Sequence, residues 1–282
     1  MDTTKQNFGS SILTDKLRDF LLAQLTILRG VLSTKLDEKT EKIKIVLAST
    51  CNTGAAICEL SKKSEYFHGE IVMLSRAFIE KVINAIYLTI CDEDEFEKYF
   101  KHTISKSVRK LDRKIKVNDQ EISIKYSGIE DLKKDTKVQE AIDTFTSING
   151  KEITHWTKAS MEKRIELIQN RAKIKIPIFM LNTLSIYEDA SEALHGTLYG
   201  CSFFTWAYEP NVDRSSTETL NDYTNSKTTL ILWQLGVMVD EVIAHLAISN
   251  KIVELAEASK KNVLTTIDLI KPILRQTEKN GC

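Results

Sequence analysis

The sequence predicts a mostly α-helical fold, and three observations predict it. Only 10 Gly and 3 Pro occur in 282 residues, too few for the tight turns of an all-β protein. Leu, Ile, Lys, Glu and Ala dominate the long segments, and apolar residues recur at helical spacing through most of them. The expectation is a single bundle of about eight to ten helices, with a short strand or hairpin near residues 119–128. An N-terminal helical segment, residues 1–65, is expected to precede a helical core domain, residues 66–282.

Residues 11–63 read as two helices or one bent helix, interrupted around "LDEKTEK". The helix from Glu70 to Cys91 is apolar around most of its circumference, so other elements must cover it on all sides. "CDEDEFEKYFKHTISKSVRKLDRKIKV" begins acidic and turns basic. That order suits the helix dipole and predicts one long solvated helix. "NDQEISIKYSGIEDLKK" alternates weakly, which predicts a strand or irregular excursion before a helix ending near Thr144. "SINGKEITHWTKAS" reads as a loop, with Thr157 or Ser160 capping a helix over 159–172. A further helix over 177–200 opens with Pro177, where a missing N–H does no harm. Residues 206–227 are polar and aperiodic, the longest predicted loop. Helices over 228–249 and 251–276 close the chain.

Composition narrows the function classes. Lys and Arg total 39, as do Asp and Glu, so no global field draws the molecule to nucleic acid or an anionic membrane. Any such partner must meet a local patch. The N-terminus lacks a secretory pattern. The two most apolar stretches carry Arg76, Glu80 and Lys81, or Asp240 and Glu241, at their centres. Such charges cost about 2.5 to 3.5 kcal/mol each in lipid, so both stretches read as core helices of a soluble, cytoplasmic protein without a membrane partner. Five cysteines without a C-x-x-C pair suit a reducing compartment and a packing role. His68, His102, His155 and His245 are scattered, and the common phosphate-binding and nucleophile motifs do not occur. No metal and no cofactor is expected.

Two polar lines stand out. Arg76, Glu80 and Asn84 lie four apart on the apolar helix, and Tyr187, Ser191 and His195 lie four apart on the 177–200 helix. A buried charge needs a partner, so the two lines are expected to meet. One reading is a structural network that fixes helix register. The other is an enclosed pocket in which Arg76 holds an anion and His195 exchanges a proton, oriented by Tyr187, Ser191 and Glu80, with Asn84 and Trp156 binding ligand. Residues 98–116 add Lys98, Lys101, Lys106, Arg109, Lys110, Arg113, Lys114 and Lys116 against Asp112 alone. This is either a phosphate-binding surface centred on Lys106, Arg109, Lys110 and Arg113 or a solvated helix face. Phe203, Phe204, Trp206 and Tyr208 either stack bases beside His195 or plug the bundle end.

"SRAFIEKVINAIYL", "EITHWTKASMEKRIELI" and "YEDASEALHG", in that order over residues 66–200, resemble the signature of an uncharacterised bacterial family of helical proteins. That group is distantly similar to the HEPN superfamily of toxins, anti-phage defence proteins and RNA-processing factors. The resemblance implies a helical bundle that acts on RNA as a metal-independent endoribonuclease, in defence or as a toxin. It also implies RNA or nucleotide as partner, and leaves open a homodimer or a protein encoded nearby. The R-x(4–6)-H motif of HEPN nucleases does not occur at any of the five His, so cleavage would need a composite Arg76/His195 site. The alternative is a non-catalytic module that senses a nucleotide or partner within a defence complex. A purely structural subunit is the third option.

Overall fold

The computed structural model describes residues 3–172, 174, 177–197, 200 and 216–280, most of them helical. The chain divides into two compact units, Met1–Thr89 with Arg164–Cys282, and Ile90–Lys163. The first unit takes in the N-terminal helices together with the C-terminal part of the chain.

In the first unit, α1 (Thr3–Leu32) and α2 (Glu38–Leu60) are the two predicted N-terminal helices. Asp37 caps α2 by accepting the Thr40 N–H at 3.1 Å. Leu17, Leu21, Leu25 and Leu28, with Phe20 and Val31, form the fully buried stripe of α1. Their three- and four-residue spacing puts them on one face. That face packs most extensively on α10 (Thr217–Ser249), and α11 (Val253–Asn280) covers both. By length and composition α10 could span a bilayer, yet 61% of its most apolar window is buried inside the protein. Gly236 of α10 seats the Phe20 ring: a Cβ there would lie 2.2 Å from Phe20 Cε1. The ring also lies 5.3 Å from that of Trp233.

α3 (Ser64–Ile90) contains the predicted apolar helix and starts six residues earlier, with a kink at Phe67. The early turns of α3 meet polar partners from α10: His68 Nδ1 lies 3.0 Å from Thr228 Oγ1, and Ser64 bonds Asn225. α1 joins the same seam, with Thr14 Oγ1 2.6 Å from Thr229 Oγ1. Residues 217–227, predicted as loop, are helical, and Asn225 within them is held by Ser64. Ser216 caps the helix. Residues 206–215 of that predicted loop, and Phe203, Phe204, Trp206 and Tyr208, lie outside the described residues. Cys51, Cys58 and Cys91 are buried free thiols; burial pushes Cys51 up to about 11.

In the second unit, α4 (Glu93–Leu111) is capped by Asp92, with acids in its first turn and Arg109 and Lys110 in its last, as the helix dipole favours. The predicted continuation to Val117 does not form. The chain leaves the helix at Asp112 and makes an antiparallel hairpin, β1 (Asp112–Val117) and β2 (Gln120–Lys125). Asn118 and Asp119 make the two-residue turn, with Asn118 at φ 55°, a conformation that Asn tolerates better than most residues. The alternating Ile115, Val117, Ile122 and Ile124 prefer a pleated backbone over the helix suggested by charge order. Short α5 (Ile129–Leu132) and α6 (Thr136–Thr144) follow. Val108, Ile129 and Val138 form a small core with Ile104, Leu111 and Ile142 around it.

Candidate functional site

α7 (Met161–Ala172) leads into a segment predicted as one helix over 177–200. It is instead three pieces: α8 (Pro177–Asn182), a π-helical turn at Thr183–Tyr187, and α9 (Glu188–Leu194). Ser160 caps α7, its Oγ accepting the Lys163 N–H at 3.2 Å. The π turn inserts an extra residue into the helical repeat and aims Tyr187 at α3. Asn182, fully buried at the entry to that turn, has no hydrogen-bond partner for Oδ1 among the described residues.

Tyr187 is where the two polar lines meet. Its hydroxyl donates to Glu80 Oε1 at 2.6 Å and accepts from Arg76 Nη2 at 3.3 Å. The Arg76 guanidinium stands 4.4 Å over the phenol ring, and its Nε lies 3.5 Å from Glu80 Oε1. Burial, and then the bond to the Glu80 carboxylate, raises the phenol pKa above its ordinary value, so Tyr187 stays a hydroxyl donor at neutral pH. The Arg76 and Glu80 side chains are 19% and 39% exposed. The guanidinium is thus stacked, hydrogen-bonded and charge-paired at once.

His195 does not join this group. Helix α9 ends at Leu194, with His195 as its C-cap and Gly196 turning left-handed at φ 63°, the usual way a helix stops. His195 stands exposed, so the enclosed Arg76/His195 pocket expected from the spacing is not what the described residues form. Ser191 is partly buried on α9. Asn84 bonds Arg164 of α7, a partner that the spacing of α3 alone could not reveal.

A cleft of about 80 Å³ beside the π turn is lined by His68, Ser185, Asp189, Lys227 and Gln234 together with the apolar Val72, Ile186, Leu230 and Ile231. Burial, with repulsion from Lys227, pushes the His68 imidazole down to about 4. The sequence treats His68 as one of four scattered histidines; Thr228, its partner, lies 160 residues away at the start of another predicted helix, so nothing local linked them.

In the second unit, Lys106, Arg109, Arg113 and Lys114 line one cleft of about 270 Å³ with Asp112 and Glu152. Lys106 pairs Glu152 at 2.6 Å, Lys114 pairs Glu121 at 3.1 Å, and Lys133 pairs Asp112 at 2.6 Å. Arg109 donates to Thr146 Oγ1 at 2.7 Å and to the Phe145 carbonyl at 3.3 Å, bracing the bridge between Thr146 and Glu152. The hydrogen bond from Lys106 holds the Glu152 carboxyl below its ordinary value, and Lys133 does the same for Asp112. Lys110 and Arg113 are exposed. Lys98 and Lys101 pair Asp94 and Glu140, each at 2.5 Å. Trp156 packs edge-on against Tyr99, with ring centroids 5.1 Å apart, as a partly buried packing residue. Among the described residues, no three His, Cys, Asp or Glu side chains gather as metal ligands.

A family model described as a family of unknown function, DUF5677, matches residues 43–207, more than half of the chain. The chain belongs to that family. The matched segment contains the Arg76, Glu80 and Tyr187 assembly, His195, and the whole second unit. No curated protein and no solved structure matches the chain.

Proposed function

We propose that this family member is a non-catalytic RNA-binding helical module, of HEPN-like descent and part of a bacterial defence complex, which holds the phosphate backbone in the cleft of its second unit. The observation that carries the reading is the gathering of Lys106, Arg109, Arg113 and Lys114 on one cleft. Four cations face two carboxylates there. Arg113 reaches the solvent with a guanidinium suited to bidentate phosphate contact. Binding is favoured over cleavage because Arg76 is engaged by Glu80 and Tyr187, while His195, the proposed acid/base, stands exposed beyond the end of its helix.

Fluorescence anisotropy with a labelled single-stranded RNA across a salt series tests this. The logarithm of the affinity should fall linearly with the logarithm of salt, by about 0.7 per phosphate contact. Arg113→Ala should weaken binding evenly across RNA sequences and make that slope shallower by about one contact. An RNA that does not bind at low salt, or an affinity indifferent to Arg113→Ala and Lys114→Ala, would overturn the proposal. Incubation of total RNA with protein in EDTA separates the alternative. Cleavage by the native chain that is lost in His195→Ala would make it a composite-site endoribonuclease.

A further inference from the structure

The hairpin of the second unit exposes an apolar sheet face. Residues paired across an antiparallel ladder share a face, so Ile115 and Val117 lie with Ile122 and Ile124 on one side. Tyr126, continuing the alternation, adds to them. All five are between 61 and 67% exposed, and every residue of β2 is exposed. A two-stranded hairpin is marginal by itself, and an exposed apolar edge is a template for another strand.

The pairing pattern says which edge is open and what it fits. The Tyr126 N–H donates to the Leu111 carbonyl at 2.8 Å, in line with the register of the ladder. Hydrogen-bonded pairs alternate with unbonded ones, so the N–H and C=O groups of Glu121, Ser123 and Lys125 point away from β1. Consider a second β2 laid antiparallel against this edge about a two-fold axis at Ser123. Ser123 then faces its own copy, Glu121 faces Lys125 of the other copy twice, and Ile122 faces Ile124 on the apolar side. Opposite charges meet at both ends, outward backbone groups meet outward backbone groups, and the apolar face runs on across the junction. The outer edge of β1 has no such match. The same operation about Lys114 sets Lys114 against its own copy, a like-charge clash of the kind that protects edges.

We propose that a second copy of this chain docks on the β2 edge, giving a continuous four-stranded antiparallel sheet β1-β2-β2-β1 in the homodimer. The contact is isologous, as two-fold dimers require, and the inference does not rest on the RNA-binding reading.

Sedimentation equilibrium of the full chain tests it, with the 32.1 kDa chain mass as the reference. The native protein should sediment at twice that mass at tens of micromolar. Glu121→Lys and Lys125→Glu should each sediment as monomers, because each sets like charges opposite one another. The double variant should return to the dimer. Ser123→Cys should give an intermolecular disulfide on mild oxidation that the native chain does not form, since directly bonded strand pairs place Cα atoms about 5.5 Å apart, within disulfide reach. Circular dichroism of each variant confirms that it is folded. A monomeric native protein, a dimer indifferent to the single charge reversals, or a double variant that stays monomeric would each overturn the proposal. The first outcome would leave the β2 edge to a strand from another protein.

Discussion

In the first unit, Thr14, His68 and Gln24 lie almost wholly out of solvent, and each meets a partner at least 160 residues away in sequence. In the second unit, Lys101, Lys106 and Lys114 meet their carboxylates at or near the surface, over a core of a few aliphatic side chains. The same chemistry of polar pairing therefore does different things. Out of water, an unpaired group costs a full desolvation penalty, so the pairs dictate helix register. In water a pair contributes little, and its charges remain available to ligands.

The contrast is tested most severely at Gly236. Gly236→Val drives a side chain into the seat of the Phe20 ring and should cost about 3 kcal/mol or more, read as a lower urea midpoint with unchanged slope. Lys101→Ala, which removes the surface pair with Glu140, should shift that midpoint by less than about 0.5 kcal/mol. Equal shifts would erase the distinction between the units.

Acid probes the buried seam next. The folded pKa of His68, about 4, lies below the ordinary 6.5, so between these values the unfolded chain binds the extra proton. Stability from this group is complete above about pH 6.5 and is lost as pH falls to about 4, an effect of about 2 to 3 kcal/mol. Burial lowers His245 in the same direction, so both act in acid. Melting temperature followed from pH 7 to 4 should fall, and His68→Asn should flatten the fall.

A smaller effect than at His68 is expected at the partly exposed assembly on α3. Tyr187→Phe removes the hydroxyl shared by Glu80 and Arg76 and should cost about 1 kcal/mol. A double-mutant cycle with Glu80→Gln should show coupling, because the two groups touch. RNA affinity at the second unit should not change in either variant. A loss there would show that the assembly contributes to binding.

Local signals carried most of the fold. The stripe of α1, the apolar run of α3 and the acid-to-base order of α4 each follow from spacing or charge along one segment. Residues 217–227 were illegible because a residue such as Asn225 looks like loop until Ser64, 161 residues away, is set against it. The strand at Asp112–Val117 was hidden by basic residues that suit a helix end as well as an exposed hairpin. At the candidate site, the four-residue spacing brought Arg76, Glu80 and Tyr187 together. It failed at His195 because the repeat passes through a π turn on one side and is stopped by Gly196 on the other, and periodicity assumes neither.

The bond between Thr14 and Thr229 spans 215 residues, and α1 finds its principal neighbour only in α10. On a ribosome adding about 5 to 20 residues per second, the stripe of Leu17, Phe20, Leu21 and Leu25 waits roughly 10 to 40 seconds for the surface that shelters it. Throughout that interval the leucine stripe of the nascent chain has no α10 to shelter it, so the first unit completes its core only near the end of synthesis.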